Sequence, residues 1–274
     1  MDNCQDLISV LLPVYKPDFG LLAKAVGSVL GQDYKNLEVV IVEDPSDRLG
    51  REVIEGFSDR RIRYKLNDTR TSMIDQLNTG IGLSRGEYIA RMDADDISMP
   101  SRLGQQLEFL REHPDISVVG TNIEIINEKG VSLGYRRLPE RHEEIVRALR
   151  LYCSVAHPTV MFRKAAVIAE GLYQVSAPVE DWDLWCRLYK SGKKFHNIQE
   201  PLFKYRIHSQ AGKITTMRKT LLAGIALKKR HFKNGIERWG FREDARCATE
   251  RILMFLPPKI VLKLFLYHSL RKEP

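Results

Sequence analysis

Residues 87–100 read EYIARMDADDISMP, an apolar stretch that runs directly into a group of acids. The apolar part predicts a buried β-strand, and Asp93, Asp95 and Asp96 would follow its C-terminal end, where open α/β sheets bind ligands. Three carboxylates this close repel one another unless a cation or hydrogen-bond donors neutralise them. Mg²⁺ and Mn²⁺ prefer such oxygen ligands. The pattern predicts a metal site, and the alternative is a solvated acidic turn that caps the next helix.

Apolar segments earlier in the chain predict a parallel sheet beside that strand. Residues 7–14 (LISVLLPV) and 37–42 (LEVVIV) are continuous apolar runs, which are typical of strands buried on both faces. Residues 18–32 between them carry apolar side chains at helical spacing. A strand, a helix and a strand in this order form a right-handed unit with two parallel strands, so an α/β fold is predicted. Similar patterns predict helices at 47–57, 69–83, 100–112 and 142–151, and strands at 61–66, 116–126, 154–163 and 198–205.

Composition and charge indicate a large globular unit with a basic end. The 274 residues are 43% hydrophobic and 28% charged, with a net charge of +8. Residues 218–274 hold 14 Lys/Arg and 5 Asp/Glu, a net charge of +9, which leaves −1 for residues 1–217. A basic tail can bind nucleic acid or an anionic membrane. No nucleic-acid-binding motif accompanies it, so nucleic acid is not expected as a partner.

The cysteines and the N-terminal residues predict a cytoplasmic protein. The four cysteines are widely separated and form no CxxC pair, so neither a zinc site nor a disulfide framework is predicted. A reduced compartment is therefore expected. The first residues lack a basic region and soon reach Pro13, unlike a signal peptide.

The most apolar part of the basic tail is residues 253–270, LMFLPPKIVLKLFLYHSL. A transmembrane helix needs roughly 20 apolar residues, and this run is shorter and interrupted by Pro257 and Pro258. An amphipathic helix with basic flanks lies on the surface of an anionic bilayer. The tail is therefore expected to hold the protein on the inner face of the cell membrane. Packing of this helix on the enzyme core, or a homodimer contact, is the alternative.

Four short motifs occur in order along residues 7–208. They are EDPS at 43–46, DADD at 93–96, EDWDLW at 180–185 and YRIH at 205–208. Together they resemble the family 2 glycosyltransferases of the GT-A fold. Several separated motifs in the right order are far more specific than any one of them.

The resemblance implies a GT-A fold, with a mostly parallel central sheet flanked by helices. It implies a glycosyltransferase domain over residues 1–217, in which residues 1–100 form a Rossmann-like nucleotide-sugar half and residues 101–217 form the acceptor half. Residues 218–274 would then be a basic helical appendage and a candidate membrane-surface anchor.

The resemblance also implies that DADD is the DxD-type motif of the family, which holds the metal and the diphosphate of the nucleotide sugar. Asp95 is expected to bind Mn²⁺ or Mg²⁺ directly, with Asp93, Asp96 and His208 as further ligands. Asp93 and Ala94 are also expected to contact the nucleotide sugar.

Further contacts with the nucleotide sugar are implied at other motifs. One acid of the pair Glu43 and Asp44 is expected to contact the nucleotide base, with capping of the next helix by Asp44 or Ser46 as the alternative. Pro45 stands where the family commonly has glycine. Arg206 is expected to lie against the diphosphate. The remaining expected contacts follow the first strand: Pro13, Val14 and Tyr15.

EDWDLW matches the ED motif of the family, whose aspartate is the catalytic base. Asp181 is therefore the expected base, with Asp183 and Glu180 as the remaining candidates. Simple capping of a helix by these acids is the alternative. The acceptor is expected to contact Glu180, Trp182 and His157.

The expected reaction moves a sugar from a nucleoside-diphosphate sugar, most often a UDP-sugar in similar enzymes, to a saccharide hydroxyl. The metal and nearby cations would neutralise the leaving diphosphate, and a carboxylate would accept the hydroxyl proton. The family implies inversion and a lipid-linked acceptor in cell-surface polysaccharide synthesis.

Two other functions compete with this interpretation. A sugar nucleotidyltransferase would carry a Gly-rich basic loop after the first strand, where this chain reads PVYKPDFG. The second competing function is that of a non-catalytic, membrane-associated relative. The presence of all the candidate acids argues against it.

Overall fold

The computed structural model describes residues 6–174, 178–207, 217–233 and 239–273. The strands are β1 Ile8–Val14, β2 Leu37–Glu43, β3 Ile62–Leu66, β4 Tyr88–Arg91, β5 Ile97–Ser98, β6 Ile116–Ile126, β7 Ser132–Arg136, β8 Met161–Arg163 and β9 Lys194–Arg206. The helices are α1 Phe19–Leu30, α2 Arg51–Glu55, α3 Met73–Leu83, α4 Arg102–Glu112, α5 His142–Leu149, α6 Lys164–Ala169, α7 Glu180–Lys190, α8 Met217–Lys228, α9 Phe241–Leu253 and α10 Pro258–Ser269. The strands form one nine-stranded sheet in the order β3-β2-β1-β4-β8-β6-β9-β5, with β7 paired to β6.

The first half of the sheet is parallel, as the apolar runs predict. β1 lies between β2 and β4, and Leu11 pairs with Val40 on one side and Arg91 on the other. α1 begins at its predicted N-cap, because the Asp18 carboxylate accepts the backbone N–H of Leu21 at 3.0 Å. The acids that follow β4 therefore emerge at the carboxyl edge of a buried parallel sheet.

The second half of the sheet is mixed. β8 is antiparallel to both β4 and β6, whereas β6 and β9 run parallel to each other. β5 pairs antiparallel with β9, so Ile97 lies beside Lys204. This pairing brings the chain after the acids against the end of β9, about a hundred residues later in the sequence.

Successive residues of β1 and β2 point to opposite faces of the sheet, and each face supports its own core. Val10 and Leu12 pack in one core with α1 and α4. Leu11 and Val40 pack in the other, which also contains the buried residues of α3, α5 and α7. Gly80 on α3 lies so close to Leu11 that a Cβ atom there would stand 2.1 Å from a Leu11 methyl carbon.

Several predicted elements differ from the structure in their bounds, and β9 begins at Lys194, four residues before its predicted start. Only Met161–Arg163 of the strand predicted at 154–163 is a strand, and a 3₁₀ turn precedes it because Pro158 has no backbone N–H to pair. The helix predicted at 47–57 is limited to α2. α3 begins four residues later than predicted, since Ser72 and Asp75 form a capping box at its start.

The C-terminal helices pack against the rest of the protein. Leu227 and Phe232 belong to the same core as α7. Leu266 and Leu270, in and just after α10, pack against β6, and the backbones of Tyr135 and Arg271 exchange hydrogen bonds of 2.9 and 2.8 Å. This face of α10 therefore packs on the core, as the alternative to membrane binding predicted. Among the helices that the structure describes, none has the length and apolar character needed to cross a membrane.

Candidate functional site

The predicted metal ligands meet after β4. Asp93, Asp95 and Asp96 each offer a carboxylate oxygen, and these oxygens lie within 4.8 Å of one another. Asp96 is 1% exposed, and burial followed by the charges of Asp93 and Asp95 raises its pKa well above the usual range. Its Oδ1 accepts the backbone N–H of Arg206 at 2.7 Å. Its Oδ2 is buried and has no hydrogen-bond partner among the described residues.

These properties fit a divalent cation. Burial and mutual repulsion make the three carboxylates costly to hold together, and a hard cation would offset both effects. The orphaned Oδ2 of Asp96 supplies a further ligand atom of the right chemistry. His208, the fourth predicted ligand, lies outside the described residues.

Two buried arginines lie beneath the acid cluster, defined as Asp93, Asp95 and Asp96. Arg91 in β4 is 3% exposed, and its Nη2 is 2.5 Å from Asp93 Oδ1. Arg102 donates to the carbonyl of Arg91 at 2.8 Å. Burial, and then the charge of Arg91, lower the pKa of Arg102 to about 9, which leaves it protonated at neutral pH. No role was predicted for Arg91, although a charged residue inside an apolar strand is a signal for one.

Arg206, the last residue of β9, contacts the backbone of the acid cluster, rather than its carboxylates, with its guanidinium. Its Nε donates to the carbonyl of Asp95 at 2.8 Å, and its Nη1 donates to the carbonyls of Asn127 and Glu128 at 3.0 and 3.1 Å. The residue is 3% exposed. The guanidinium thus holds two loops together, and its contact with the diphosphate stays a prediction.

The acids expected near the nucleotide base are both buried and held by hydrogen bonds. Glu43 accepts from the Gly50 backbone at 2.8 Å and from the Tyr64 hydroxyl at 2.7 Å. Asp44 accepts from the Thr71 backbone at 2.9 Å and from its hydroxyl at 2.8 Å. The alternative that Asp44 or Ser46 caps the next helix is wrong, because Gly50 is the N-cap of α2.

Next to these acids, the end of β1 offers the other predicted contacts. Tyr15 is 38% exposed, and the Arg70 guanidinium stacks on its ring at 4.5 Å. Val14 is buried, and its carbonyl accepts from Gln76 at 2.8 Å. Pro13 and Ala94 are partly buried. Arg70 was not predicted as a site residue, because its contact with the Tyr15 ring depends on the folded chain.

At the start of α7, the structure separates the three base candidates. Asp183 is 3% exposed; its Oδ2 accepts from Arg187 at 2.8 Å, and its Oδ1 lies 2.9 Å from His231 Nε2. Burial would raise the pKa of Asp183, but these hydrogen bonds hold it below its usual value. Asp183 therefore anchors α7, and because both of its oxygens are engaged, Asp181 stays the predicted base. Asp181 is partly exposed, and its Oδ1 accepts the Trp182 backbone N–H at 2.8 Å.

Glu180 links this helix to the acid cluster. It is 5% exposed, and burial followed by the charge of Asp181 raises its pKa to about 7. Asp93 raises it further and Arg91 lowers it, so the two groups of acids lie close enough to feel each other's charge. His157 lies between Glu180 and Tyr173. Its Nδ1 is 3.9 Å from Glu180 Oε1, and its Nε2 is 2.8 Å from the Tyr173 hydroxyl.

Trp182 does not face an acceptor, which corrects the prediction for this residue. Its side chain is largely buried, and its Nε1 donates to the carbonyl of Leu149 at 2.8 Å. A Cβ atom on Gly224 would lie 3.1 Å from the ring, and Lys228 Nζ lies 5.8 Å from its centroid. The indole is therefore enclosed between α5 and α8, because the helical face that carries it points into the core.

A cavity of about 320 Å³ opens beside Asp181 and is hereafter the inner cavity. The Cys153 thiol lies 3.4 Å from Asp181 Oδ2 in its wall. Burial, and then the charge of Asp181, raise the pKa of this thiol well above its usual range, so it is a neutral donor to the carboxylate. His157 also lines the cavity, which keeps it available for the acceptor contact predicted for it.

Comparisons with known proteins identify relatives of this chain. The model of glycosyl transferase family 2 matches residues 9–170. The Bacillus subtilis protein EpsE, named as a glycosyltransferase, is 36% identical over 219 residues, which is 77% of each chain. The Escherichia coli O-antigen biosynthesis glycosyltransferase WbnJ is 30% identical over 211 residues, covering 75% of this chain and 82% of WbnJ.

Solved structures share the fold at low sequence identity. S. aureus TarS 1-349 in complex with UDP-GlcNAc aligns with a TM-score of 0.66 and 18% identity, over 90% of this chain and 73% of that chain. The mannosyltransferase PcManGT from Pyrobaculum calidifontis, in complex with GDP-Man and Mn²⁺, gives 0.64 and 14%, over 96% and 73%. These alignments confirm the predicted α/β fold of the GT-A type.

Proposed function

This chain belongs to glycosyl transferase family 2, and from that premise we propose the reaction that it catalyses. It moves a sugar from a nucleoside-diphosphate sugar, preferably a UDP-sugar, to a saccharide hydroxyl, with inversion and with help from Mn²⁺ or Mg²⁺. The named neighbours that bind UDP-GlcNAc and GDP-Man support a nucleotide-sugar donor.

One observation carries the proposal: two groups of acids from distant parts of the chain lie close enough to influence each other's charge. Asp93 and Asp96 follow β4, whereas Glu180 and Asp181 begin α7. The charge of Asp93 contributes to the raised pKa of Glu180. Two sets of carboxylates in different environments suit two tasks, cation binding and proton transfer.

On the donor side, Asp95 with Asp93 and Asp96 would hold the divalent cation, which supplies positive charge for the leaving diphosphate. Arg91 fixes Asp93 by a salt bridge, and Arg206 fixes Asp96 and the carbonyl of Asp95. Glu43 or Asp44 would accept an N–H of the base, with Tyr15 and Arg70 nearby. These residues would orient the donor, because each is held by its own neighbours.

On the acceptor side, Asp181 would accept the proton as the acceptor oxygen bonds to the anomeric carbon and the bond to the diphosphate breaks. The Cys153 thiol and the Trp182 backbone N–H hold the two carboxylate oxygens. Glu180, with its pKa near neutrality, would set the charge next to this base.

A nucleotide-release assay with a panel of nucleotide-sugar donors and saccharide acceptors tests the proposal. We expect release of a nucleoside diphosphate that requires Mn²⁺ or Mg²⁺ and increases with an acceptor. Release of pyrophosphate from a nucleoside triphosphate and a sugar 1-phosphate, with no release from the nucleotide sugars, would indicate a sugar nucleotidyltransferase. No release from any donor would contradict the proposal and favour a non-catalytic role.

The C-terminal helices would bring the enzyme to an anionic membrane surface, where a lipid-linked acceptor resides. Large apolar side chains remain exposed on one stretch of these helices: Ile252, Phe255, Ile260, Leu264 and Tyr267. They accompany the +9 charge of residues 218–274. Exposed apolar and basic side chains together favour binding to an anionic bilayer.

Co-sedimentation with phosphatidylglycerol liposomes tests this attachment in the full chain. We expect pelleting at low salt that weakens at high salt and falls when Phe255 and Tyr267 are both changed to Ser. Phe19→Ser, at an exposed position of α1, is the matched control and should pellet as the wild type does. Equal pelleting of all three proteins, or none of any, would exclude the attachment.

A further inference from the structure

The inner cavity lies where an acceptor would have to bind. Asp181 lines this cavity, and so does Arg206. The backbone N–H of Arg206 binds the Asp96 carboxylate, and its Nε binds the carbonyl of Asp95. A molecule in the cavity would therefore touch the proposed base and lie close to the acid cluster. The volume of about 320 Å³ is at the lower end of the range for small-molecule sites.

The wall of the inner cavity is mainly apolar. Ile123 and Ile125 of β6 line it from the sheet, and Leu221 and Val261 line it from the C-terminal helices. Asp181 is the only carboxylate among the described residues that line it. Because the apolar side chains come from separate elements, a ligand held by Asp181 meets apolar groups on more than one side.

The polar side chains in this wall are engaged with other parts of the chain. The Arg206 guanidinium donates to three backbone carbonyls. His157 Nε2 lies 2.8 Å from the Tyr173 hydroxyl. Arg136 and Thr220 also have interaction partners in the chain. A sugar hydroxyl that enters the cavity would therefore exchange water for few new partners, which costs free energy.

A hexose carries a hydroxyl on nearly every carbon, so a fully hydroxylated sugar fits this wall poorly. We propose that the inner cavity selects an acceptor sugar that bears a methyl group, in a 6-deoxy or an N-acetyl position. The methyl group would face the apolar wall while the reacting hydroxyl binds Asp181. This inference rests on the proposed function for the identity of the ligand as acceptor, but the preference for a methyl group can be measured as binding, without transfer.

The test compares pairs of methyl glycosides that differ in one group, by NMR titration of each onto the full chain. Fucoside against galactoside and rhamnoside against mannoside test the 6-deoxy group. N-acetylglucosaminide against glucoside and N-acetylgalactosaminide against galactoside test the N-acetyl group. We expect the methyl-bearing member of at least one pair to bind about ten- to a hundredfold more tightly, which is the usual discrimination of an apolar pocket. The pair that shows the difference identifies the source of the methyl group.

Matched variants locate the preference in the inner cavity. Leu221→Asn places an amide in the wall, which can pair with a sugar hydroxyl, so the ratio of the two affinities should fall by about threefold or more. Leu222→Asn, at an exposed position of the same helix α8, is the control and should keep the wild-type ratio. Melting temperatures verify that both variants are folded, and the ratio in the wild type tests the inference without any variant.

Three results would overturn the inference. The first is equal affinity within every pair, including the case in which no glycoside binds. The second is an affinity that follows the alkyl aglycone, from methyl to octyl glycosides, and not the methyl group on the sugar, because the cavity would then take an alkyl chain. The third is a wild-type ratio in Leu221→Asn. A methyl preference without transfer from any donor would contradict the proposed function alone, and transfer without a preference would contradict this inference alone.

Discussion

The acid cluster after β4 and the acid pair at the start of α7 contain the same kind of residue in opposite settings. Asp93, Asp95 and Asp96 crowd together above buried arginines, and Asp96 retains an oxygen without a partner among the described residues. Asp181 lines an apolar-walled cavity and lies beside a neutral thiol, whereas its neighbour Glu180 is buried. The first setting favours cation binding and the second favours proton transfer. The environment of each carboxylate, rather than its residue type, therefore indicates its role.

The two groups also differ in what supports them. The acid cluster is held by β4, β9 and their arginines, all before the C-terminal helices. The helix that carries Asp181 is held from residues after 217, because His231 binds Asp183 and Lys228 packs by Trp182. The C-terminal region therefore helps to hold the helix that carries Asp181, which we propose to be the acceptor side of the site.

The largest effect is expected at the acid cluster. Asp95→Asn should lower metal-dependent transfer by about 10³-fold or more, because metal stabilisation of the leaving group amounts to several kcal/mol. The melting temperature should stay the same or rise, since one repulsive charge is gone. The measurement is the transfer rate against Mn²⁺ concentration, with Asp115→Asn on the surface as control. Full activity of Asp95→Asn, or of the wild type in excess EDTA, would refute a metal at this cluster.

The next prediction tests whether the acid cluster and the acid pair are held in place by different parts of the chain. Lys228 is fully buried and forms a salt bridge with Glu250. Lys228→Met removes a cation from beside the buried Glu250 carboxylate. The change should lower the free energy of unfolding by about 3–5 kcal/mol. Transfer should fall more than donor binding, because the change loosens α7 and not β4.

Denaturant unfolding and donor titration measure the two consequences. Lys219→Met, at an exposed position of the same helix, is the control and should change neither. If Lys228→Met weakens donor binding as much as transfer, the separation between the two supports is wrong.

The smallest effect concerns the raised pKa of Glu180. Its carboxyl titrates near pH 7 in the folded protein and near 4.5 when unfolded, so the folded state holds a proton that the unfolded state has lost. Wild-type stability should therefore fall between about pH 5 and 7, by up to about 3 kcal/mol, since one pKa unit corresponds to about 1.4 kcal/mol.

Glu180→Gln should remove this fall, whereas Glu112→Gln at the exposed end of α4 should keep it. Denaturant unfolding at several pH values measures it. Parallel stability curves for the wild type and Glu180→Gln would show that Glu180 has an ordinary pKa.

Local sequence patterns predicted the elements whose residues are continuous in the sequence. The apolar runs of β1 and β2 and the acids after β4 are continuous in sequence, so the parallel half-sheet and the acid cluster could be read from it. The starts of α2 and α3 were predicted too early, because the N-caps are Gly50 and Ser72.

Contacts between distant residues could not be predicted. Asp183 looked like Asp181 until His231, 48 residues away, was found beside it. Trp182 looked available for an acceptor until Gly224 and Lys228 were found to enclose it. Arg206 was expected near the acids and lies there, but only the fold shows that its guanidinium binds three carbonyls.

The most direct test of the division between the two groups is Asp181→Asn, measured for both donor binding and transfer. Titration of the nucleotide sugar with Mn²⁺ should give the wild-type affinity, because the acid cluster is unchanged. Transfer should fall by about 10²–10⁴-fold, the usual contribution of a general base. If Asp181→Asn transfers sugar at the wild-type rate, or if it loses donor binding along with transfer, Asp181 is not the base and the two groups of acids do not divide the reaction.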